Sequence, residues 1–516
     1  MIATERNGGA AAVLHLAGIT KRFGALVAND AVDLVLHRGE ILALLGENGA
    51  GKTTLMSILF GHYVADEGQV LVAGADGRLQ PLPPGSPKAA LAAGIGMVHQ
   101  HFALAANLSV LDNIVLGTEP IWKPRQDKAA ARGKLAALMR ASGLEVPLDA
   151  QVASLSVGEA QRVEILKALY RDARVLVLDE PTAVLTPQEA DRLFVTLRRL
   201  AESGLAIVFI SHKLGEVMAL SRRVAVLRGG RKVAEVATAE ASRAQLAELM
   251  VGRTIPERRR EPLPPGRLGL ELRGVSARYG SAAIESVDLA IHEREILGIA
   301  GVSGNGQTAL AALLSGLVAT TAGEIRLFGG PWPEGGPAAL VRAGVGRIPE
   351  DRNRQGVVGD MTVAENLLLE DRADPVWQRF GVVRQGALAA HAGEVIATYD
   401  VRCEGPQATT RLLSGGNVQK VILGRVLERR PRLILANQPT RGLDVGAVAY
   451  VHDRLLEARA RGAAILLVSE DLDELLALSD RVAVIYRGRL GPALPIGQVT
   501  LRGLGLMMAG HHDDAA

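Results

Sequence analysis

The sequence predicts an α/β protein made of two tandem domains, each with a largely parallel sheet at its centre. Three observations predict it. A chain of 516 residues exceeds what one hydrophobic core supports. Its apolar runs are short, at 41–45, 175–178 and 207–210, and are separated by helical patterns, as in parallel strands buried on both faces. The chain also repeats itself. Gly46 matches Gly301, Phe23 matches Tyr279, Ser156 matches Ser414 and His212 matches Glu470, at an offset of roughly 255–258 residues, far longer than a solenoid period and therefore a domain duplication.

The elements follow in order. Residues 41–45 read as a strand, a glycine-rich loop comes next, and 53–60 read as a helix. The Ala-rich stretch 128–141 reads as a further helix, and 175–178 and 207–210 as further strands. The first domain is expected over 12–252 and the second over 268–510. Between them, 253–267 is rich in Pro and Arg and reads as a short, semi-stiff linker.

Bulk properties narrow the function. Hydrophobic residues make up 48% of the chain, ample for two cores, and the formal charge is only +3. A polyanionic partner such as nucleic acid is not expected, and Arg258, Arg259 and Arg260 read as a solvated linker. The single cysteine, Cys403, cannot form an internal disulfide, which fits a reducing compartment. No signal peptide is visible, and no apolar run approaches the roughly 20 residues of a membrane span. A role at a membrane would run through a partner.

The octet Gly46-Glu47-Asn48-Gly49-Ala50-Gly51-Lys52-Thr53 follows the pattern G-x-x-x-x-G-K-T. Its glycines let backbone N–H groups close around phosphates, and the following helix presents its positive end. Lys52 would reach the β- and γ-phosphates, and the Thr53 hydroxyl would ligate Mg²⁺. The run Val175-Leu176-Val177-Leu178-Asp179-Glu180 ends a strand in two carboxylates. Asp179 is placed to hold Mg²⁺ and Glu180 to polarise an attacking water. Ser156 with Glu159 reads as an ordinary capping box. The matching Ser414-Gly415-Gly416 adds backbone N–H groups and a helix dipole that suit a phosphate.

In this order the motifs resemble the ATP-binding-cassette family, and the resemblance covers nearly the whole chain twice. It implies two tandem RecA-like cores with an antiparallel β part and a helical subdomain, ATP and Mg²⁺ as cofactors, and ATP hydrolysis. By resemblance Phe23 lies against the adenine, Gln100 senses the γ-phosphate and also belongs to the Mg²⁺ set, and His212 contacts the γ-phosphate. Thr54 completes the loop's nucleotide contacts. Two cassettes of this family pair head to tail, so each site borrows the partner cassette's signature.

That rule sorts the departures. Site one would use 46–53, Gln100, Asp179, Glu180 and His212, with Ser414, Gly415, Gly416 and Asp444 lent by the second copy. Every one keeps the family residue. Site two would use Tyr279, Gly301, Gly306 and Thr308, but has Gln307 for Lys, Glu350 for Gln, Asn437 and Gln438 for the acidic pair, and Glu470 for His. Its borrowed signature, Ser156 to Gly158, carries Val157 in the middle, and Thr186 replaces the Asp of the turn. The defects fall on one site only, so hydrolysis is expected at site one alone.

Two cassettes without a membrane span resemble the energy subunit of an importer for nucleosides or simple sugars. Residues 155–170, Pro349-Glu350-Asp351-Arg352 and 438–447 are similar to the nucleoside branch. The resemblance implies two integral membrane permease subunits, which dock beside 98–116 and 348–369, an extracytoplasmic substrate-binding protein, and a place on the cytoplasmic face of the inner membrane. Soluble twin-cassette ATPases that bind ribosomes are the alternative, though they usually keep two intact sites and carry a long charged linker.

Overall fold

The computed structural model describes residues 11–74, 76–99, 103–118, 127–182, 185, 187–211, 213–252, 260–302, 304–372, 374–380, 382–508 and 510. Gln100, Thr186 and His212 lie outside the described residues, as do Arg258 and Arg259. The chain divides into two units, Met1–Ile255 and Pro256–Ala516.

In the first unit the apolar run at 41–45 extends as strand Ile41–Gly46. It lies within a six-stranded sheet ordered Arg231–Ala237, Arg223–Arg228, Ile41–Gly46, Ala206–Ile210, Val175–Asp179, Ile95–Val98. Every pairing is parallel except the first. A separate antiparallel sheet runs Leu26–His37, Ala12–Phe23, Glu67–Ala73, Leu79–Pro81.

Alternation along the parallel strands explains their continuous apolar character. Val175, Val177, Val208 and Ile210 pack with Leu14, Leu34 and Val70 of the antiparallel sheet and Leu55 of helix Lys52–Leu59. Leu176, Leu178, Ile207 and Phe209 face the opposite core, with helices Val110–Val115, Lys128–Ser142, Val157–Tyr170 and Pro187–Glu202. Both faces are covered, so neither can be polar. Arg223 ties the two sheets together: its guanidinium pairs with Glu40 at 2.8 Å and donates to the Val35 carbonyl at 2.6 Å.

The second unit repeats this plan. Its larger sheet is ordered Val345–Ile348, Leu433–Asn437, Ala464–Ser469, Ile296–Ala300, Arg481–Tyr486, Arg489–Leu490, with Leu494–Pro495 also on Arg481–Tyr486. The antiparallel sheet runs Ala282–His292, Leu268–Tyr279, Ala322–Leu327, Gly330–Pro331. Arg481 plays the part of Arg223, pairing with Glu295 at 2.5 Å and donating to the Ala290 carbonyl at 2.7 Å. Helices Val363–Leu368, Gln385–Thr398 and Gly415–Leu427 cover the far face.

Two expectations shift. The helix after the first glycine loop begins at Lys52, one residue early, because Gly51 already serves as its N-cap. Arg260 is not a solvated linker residue: it pairs with Asp480 at 2.7 Å, and Asp480 is also gripped by Arg459 at 2.6 Å. Among the described residues no helix is long and apolar enough to cross a membrane.

Candidate nucleotide sites of the two units

In the first unit, Leu44 and Asp179 both stand opposite Ile210 in the sheet register. The loop leaving Gly46 and the carboxylates of Asp179 and Glu180 therefore emerge at one edge, the carboxyl ends of the parallel strands, where such sheets bind ligands. Gly51 lets the loop close. Its φ is 96°, and a side-chain carbon there would lie 2.2 Å from the Ala28 carbonyl oxygen. Lys52 folds back over the loop, donating to the carbonyls of Gly46 at 2.6 Å and Glu47 at 2.9 Å. An ammonium has three donors, so one is left for a phosphate oxygen.

Electrostatics couples these groups. Burial pushes the Lys52 ammonium down, while Glu180, Asp179 and Glu47 hold it up. Burial, and then repulsion from Glu180, pushes the Asp179 carboxyl above its ordinary range, with Lys52 and His99 opposing. A half-buried carboxylate held against its own ionisation gains from a cation, and with Thr53 on the adjoining helix it fits Mg²⁺. Glu180 has a φ of 46°, in the left-handed region that a residue with a side chain rarely adopts. Its N–H donates to the Ile210 carbonyl at 3.0 Å and keeps it there. Strain of this kind gathers at functional sites.

The site has a floor that sequence reasoning missed. Glu216 accepts from the hydroxyls of Thr182 at 2.6 Å and Ser211 at 3.0 Å, joining the residues that follow the acidic pair to the strand beside it. Glu474 does the same in the second unit, with Thr440 at 2.8 Å and Ser469 at 2.6 Å, and His452 Nε2 lies 3.2 Å away. The signal was present. Thr182, Ser211 and Glu216 recur in the second copy at the spacing of Ser156 and Ser414.

The second unit keeps the scaffold and changes the chemistry. Gly306 stands where Gly51 stands, with a φ of 114°. Gln307 copies the fold-back of Lys52, its Nε2 donating to the Val302 carbonyl at 3.0 Å. Its Oε1, however, is buried without a partner. An uncharged amide that presents a buried acceptor beside the loop does not fit a phosphate as an ammonium does. Asn437 ends its strand, and Gln438 takes the strained turn with a φ of 49°. Gln438 Oε1 accepts from the Glu470 N–H at 3.4 Å. Glu350 is ion-paired with Arg441. Tyr279, Thr308, Glu350 and Asn437 line one cavity.

The remaining expected residues are placed as follows. Phe23 is 42% exposed, with Tyr63 edge-on at 5.4 Å and the Lys21 ammonium 5.4 Å from its ring, and Tyr279 is equally exposed. Partly exposed rings of this kind suit stacking on a base. Ser156 and Glu159 form the capping box that their spacing predicts. Ser414 caps helix Gly415–Leu427 through the Asn417 N–H, and Asp444 caps Val445–Ala460 through the Ala447 N–H. Gly416 adjoins Asp444: a side-chain carbon there would lie 3.9 Å from the Asp444 carboxylate. Gly158 is buried, and Val157 stands 46% exposed at the head of its helix. Among the described residues no cluster of His, Cys, Asp and Glu is composed to hold a metal by itself.

Comparison with known proteins points to one family. The ABC transporter family profile matches residues 29–183 and 284–441. The chain is 44% identical to the glucose import ATP-binding protein TsgD13 of Haloferax volcanii, over 98% of this chain and 96% of that one. It is 42% identical to the nucleoside import ATP-binding protein NupA of Lactococcus lactis, over 96% and 98%. To the guanosine import ATP-binding protein NupO of Bacillus subtilis it is 41% identical, over 96% and 97%. Among solved structures, one titled RNase-L Inhibitor aligns over 96% of this chain and 93% of its own, with a TM-score of 0.63 at 23% identity, a likeness of fold alone.

Proposed function

Because the chain belongs to the ABC transporter family, whose ATP-binding members hydrolyse ATP, we propose that it is the energy subunit of an importer and that only the first of its two sites turns over. The observation that carries this reading is the contrast on one backbone plan: Lys52, Asp179 and Glu180 in the first unit against Gln307, Asn437 and Gln438 in the second.

In the first site Lys52 and the loop N–H groups hold the β- and γ-phosphates, and Phe23 lies against the adenine. Thr53, Asp179 and Gln100 hold Mg²⁺, which neutralises phosphate charge when bound. Glu180 orients the attacking water and accepts its proton, and His212 contacts the γ-phosphate. Ser414, Gly415, Gly416 and Asp444 complete the site from the second unit. In the second site Gln307 offers no cation and Gln438 no base, so no turnover is expected there.

The partners we propose are two membrane permease subunits and an extracytoplasmic substrate-binding protein, with the chain at the cytoplasmic face of the membrane. The cargo is a nucleoside, with a simple sugar as the alternative. Both kinds of relative stand at similar identity, and the stretches at 155–170, 349–352 and 438–447 favour the nucleoside.

Steady-state ATPase measurements test the site assignment. Glu180→Gln is expected to lose about 10²–10³-fold in turnover, while Gln438→Ala stays near wild type. Substantial residual turnover in Glu180→Gln would falsify the reading. Uptake of labelled nucleosides and pentoses, by cells with and without the chain, decides the cargo.

A further inference from the structure

In the second unit the segment in which Glu350 stands for a glutamine is fastened to the start of helix Gly415–Leu427 and to the turn before Asp444. Glu350 is ion-paired with Arg441. Asp351 accepts from the N–H groups of Asn353 and Arg354 at 3.0 Å each and starts a single π-helical turn, Arg352–Gly356. Arg352 reaches the other way. Its guanidinium donates to the Arg441 carbonyl at 2.6 Å and the Gly442 carbonyl at 3.3 Å, both in the turn that leads to Asp444.

The same guanidinium lies over Gly415. A side-chain carbon on Gly415 would come within 3.0 Å of Arg352 Nη2 and 3.1 Å of its Nε. Nε is buried and has no partner, so the group is held by its two carbonyl bonds and by packing on the glycine. Further along, Gly356 lies against Ile422, and its carbonyl accepts from Arg425 at 2.7 Å. The segment is thus tied to helix Gly415–Leu427 at two points about three turns apart along that helix. Arg352 fills the space between the helix's first residue and the Asp444 turn.

We propose that Arg352 is a positioning residue that sets the spacing between Ser414-Gly415-Gly416 and the Asp444 turn, so that segment 349–356 of the second unit governs turnover at the first site. The inference rests on the proposed function in one respect, that these residues serve the first site. Arg352 touches no reacting atom, and its action runs through Gly415 and the carbonyls of Arg441 and Gly442. A side chain at Gly415 would press on the guanidinium and shift it by a few tenths of an ångström. Val157, its counterpart in the first unit, is 46% exposed.

The test uses the full-length chain and four variants: Arg352→Ala, Arg352→Lys, Gly415→Ala and the Arg352→Ala/Gly415→Ala double. Arg352→Ala is expected to lower kcat about tenfold with little change in KM for ATP, and added guanidinium is expected to restore part of the loss. A structural role alone would lower Tm and leave kcat per folded chain unchanged, which would overturn the inference. Gly415→Ala is expected to cost much less in the Arg352→Ala background than in wild type; additive losses would contradict the contact. If Arg352→Ala does not fold, Arg352→Lys decides, since it keeps the charge and one bond: an intermediate kcat supports the inference and a wild-type kcat overturns it. Glu180→Gln runs alongside. If Glu180→Gln abolishes turnover and Arg352→Ala does not change it, this inference alone fails. If Glu180→Gln retains turnover, the reading beneath it fails whatever Arg352→Ala does.

Discussion

The turn after strand Val175–Asp179 and the turn after strand Leu433–Asn437 hold the same unusual backbone. Glu180 has a φ of 46° and Gln438 a φ of 49°, and each donates its N–H to the neighbouring strand, at 3.0 and 2.8 Å. Beneath each turn a glutamate binds one threonine and one serine hydroxyl. Above each, the first residue of the loop's helix folds back to loop carbonyls. What differs is charge. A cation and two carboxylates in the first unit are three amides in the second. The scaffold of a nucleotide site and its chemistry are therefore separable. Backbone strain alone does not mark a working site, since the second unit carries the strain without the groups it would serve.

Exchanging the groups between the two units tests whether charge is what separates them. The largest effect is expected for Lys52→Gln, which gives the first loop the side chain of the second. It should lower kcat/KM for ATP about 10²–10³-fold, read by steady-state ATPase. The reverse change, Gln307→Lys, restores a cation but neither carboxylate. It should alter turnover by less than about twofold, and a large gain would show that the second site lacks only its lysine.

Next come the two glutamates beneath the turns. Glu474 is almost fully buried and Glu216 is partly exposed. Removing an acceptor strands its buried donors, so Glu474→Ala should cost about 3 kcal/mol and Glu216→Ala about 1–2 kcal/mol in urea unfolding. Equal losses would mean that burial does not distinguish the two nodes.

A smaller effect, of defined sign, is expected at Asp179. Its folded pKa lies above its ordinary value of 3.8, so the native state binds more protons than the unfolded state between those values. Wild-type stability therefore falls as pH rises through that window. Asp179→Asn does not titrate, so it should raise Tm in nucleotide-free, Mg²⁺-free protein at neutral pH, and the gain should shrink as pH falls toward 3.8. A gain that grew on acidification would contradict the assignment. The smallest effect is expected for Val157→Gly. It repairs one feature of a site that lacks its cation and base, and should change turnover by less than about twofold.

Much of this was legible in the sequence, for physical reasons. Strands buried on both faces are continuous apolar runs, so 41–45, 175–178 and 207–210 stood out. Glycines at 46, 49 and 51 marked a loop that only glycine can close, and two carboxylates ending an apolar strand marked its ligand edge. Glu216 and Glu474 were not singled out, because a glutamate on a short helix looks solvated until its Thr and Ser partners are brought to it from other segments. Arg352 was visible only as one letter of a motif. Its grip on Arg441 and Gly442 spans 89 and 90 residues of chain, and nothing local announces it. Arg260 was misread for a similar reason, as its partner Asp480 lies 220 residues away.

The central claim is that the first unit's site hydrolyses ATP and the second unit's does not. Rapid-quench measurement of phosphate formed per chain, at saturating ATP, tests it most directly in wild type, Gln438→Ala and Glu180→Gln. The account predicts equal phosphate from the first two and no more than about a hundredth of that from Glu180→Gln. A burst from Glu180→Gln at half the wild-type amplitude would contradict it, because the second site would then be turning over on its own.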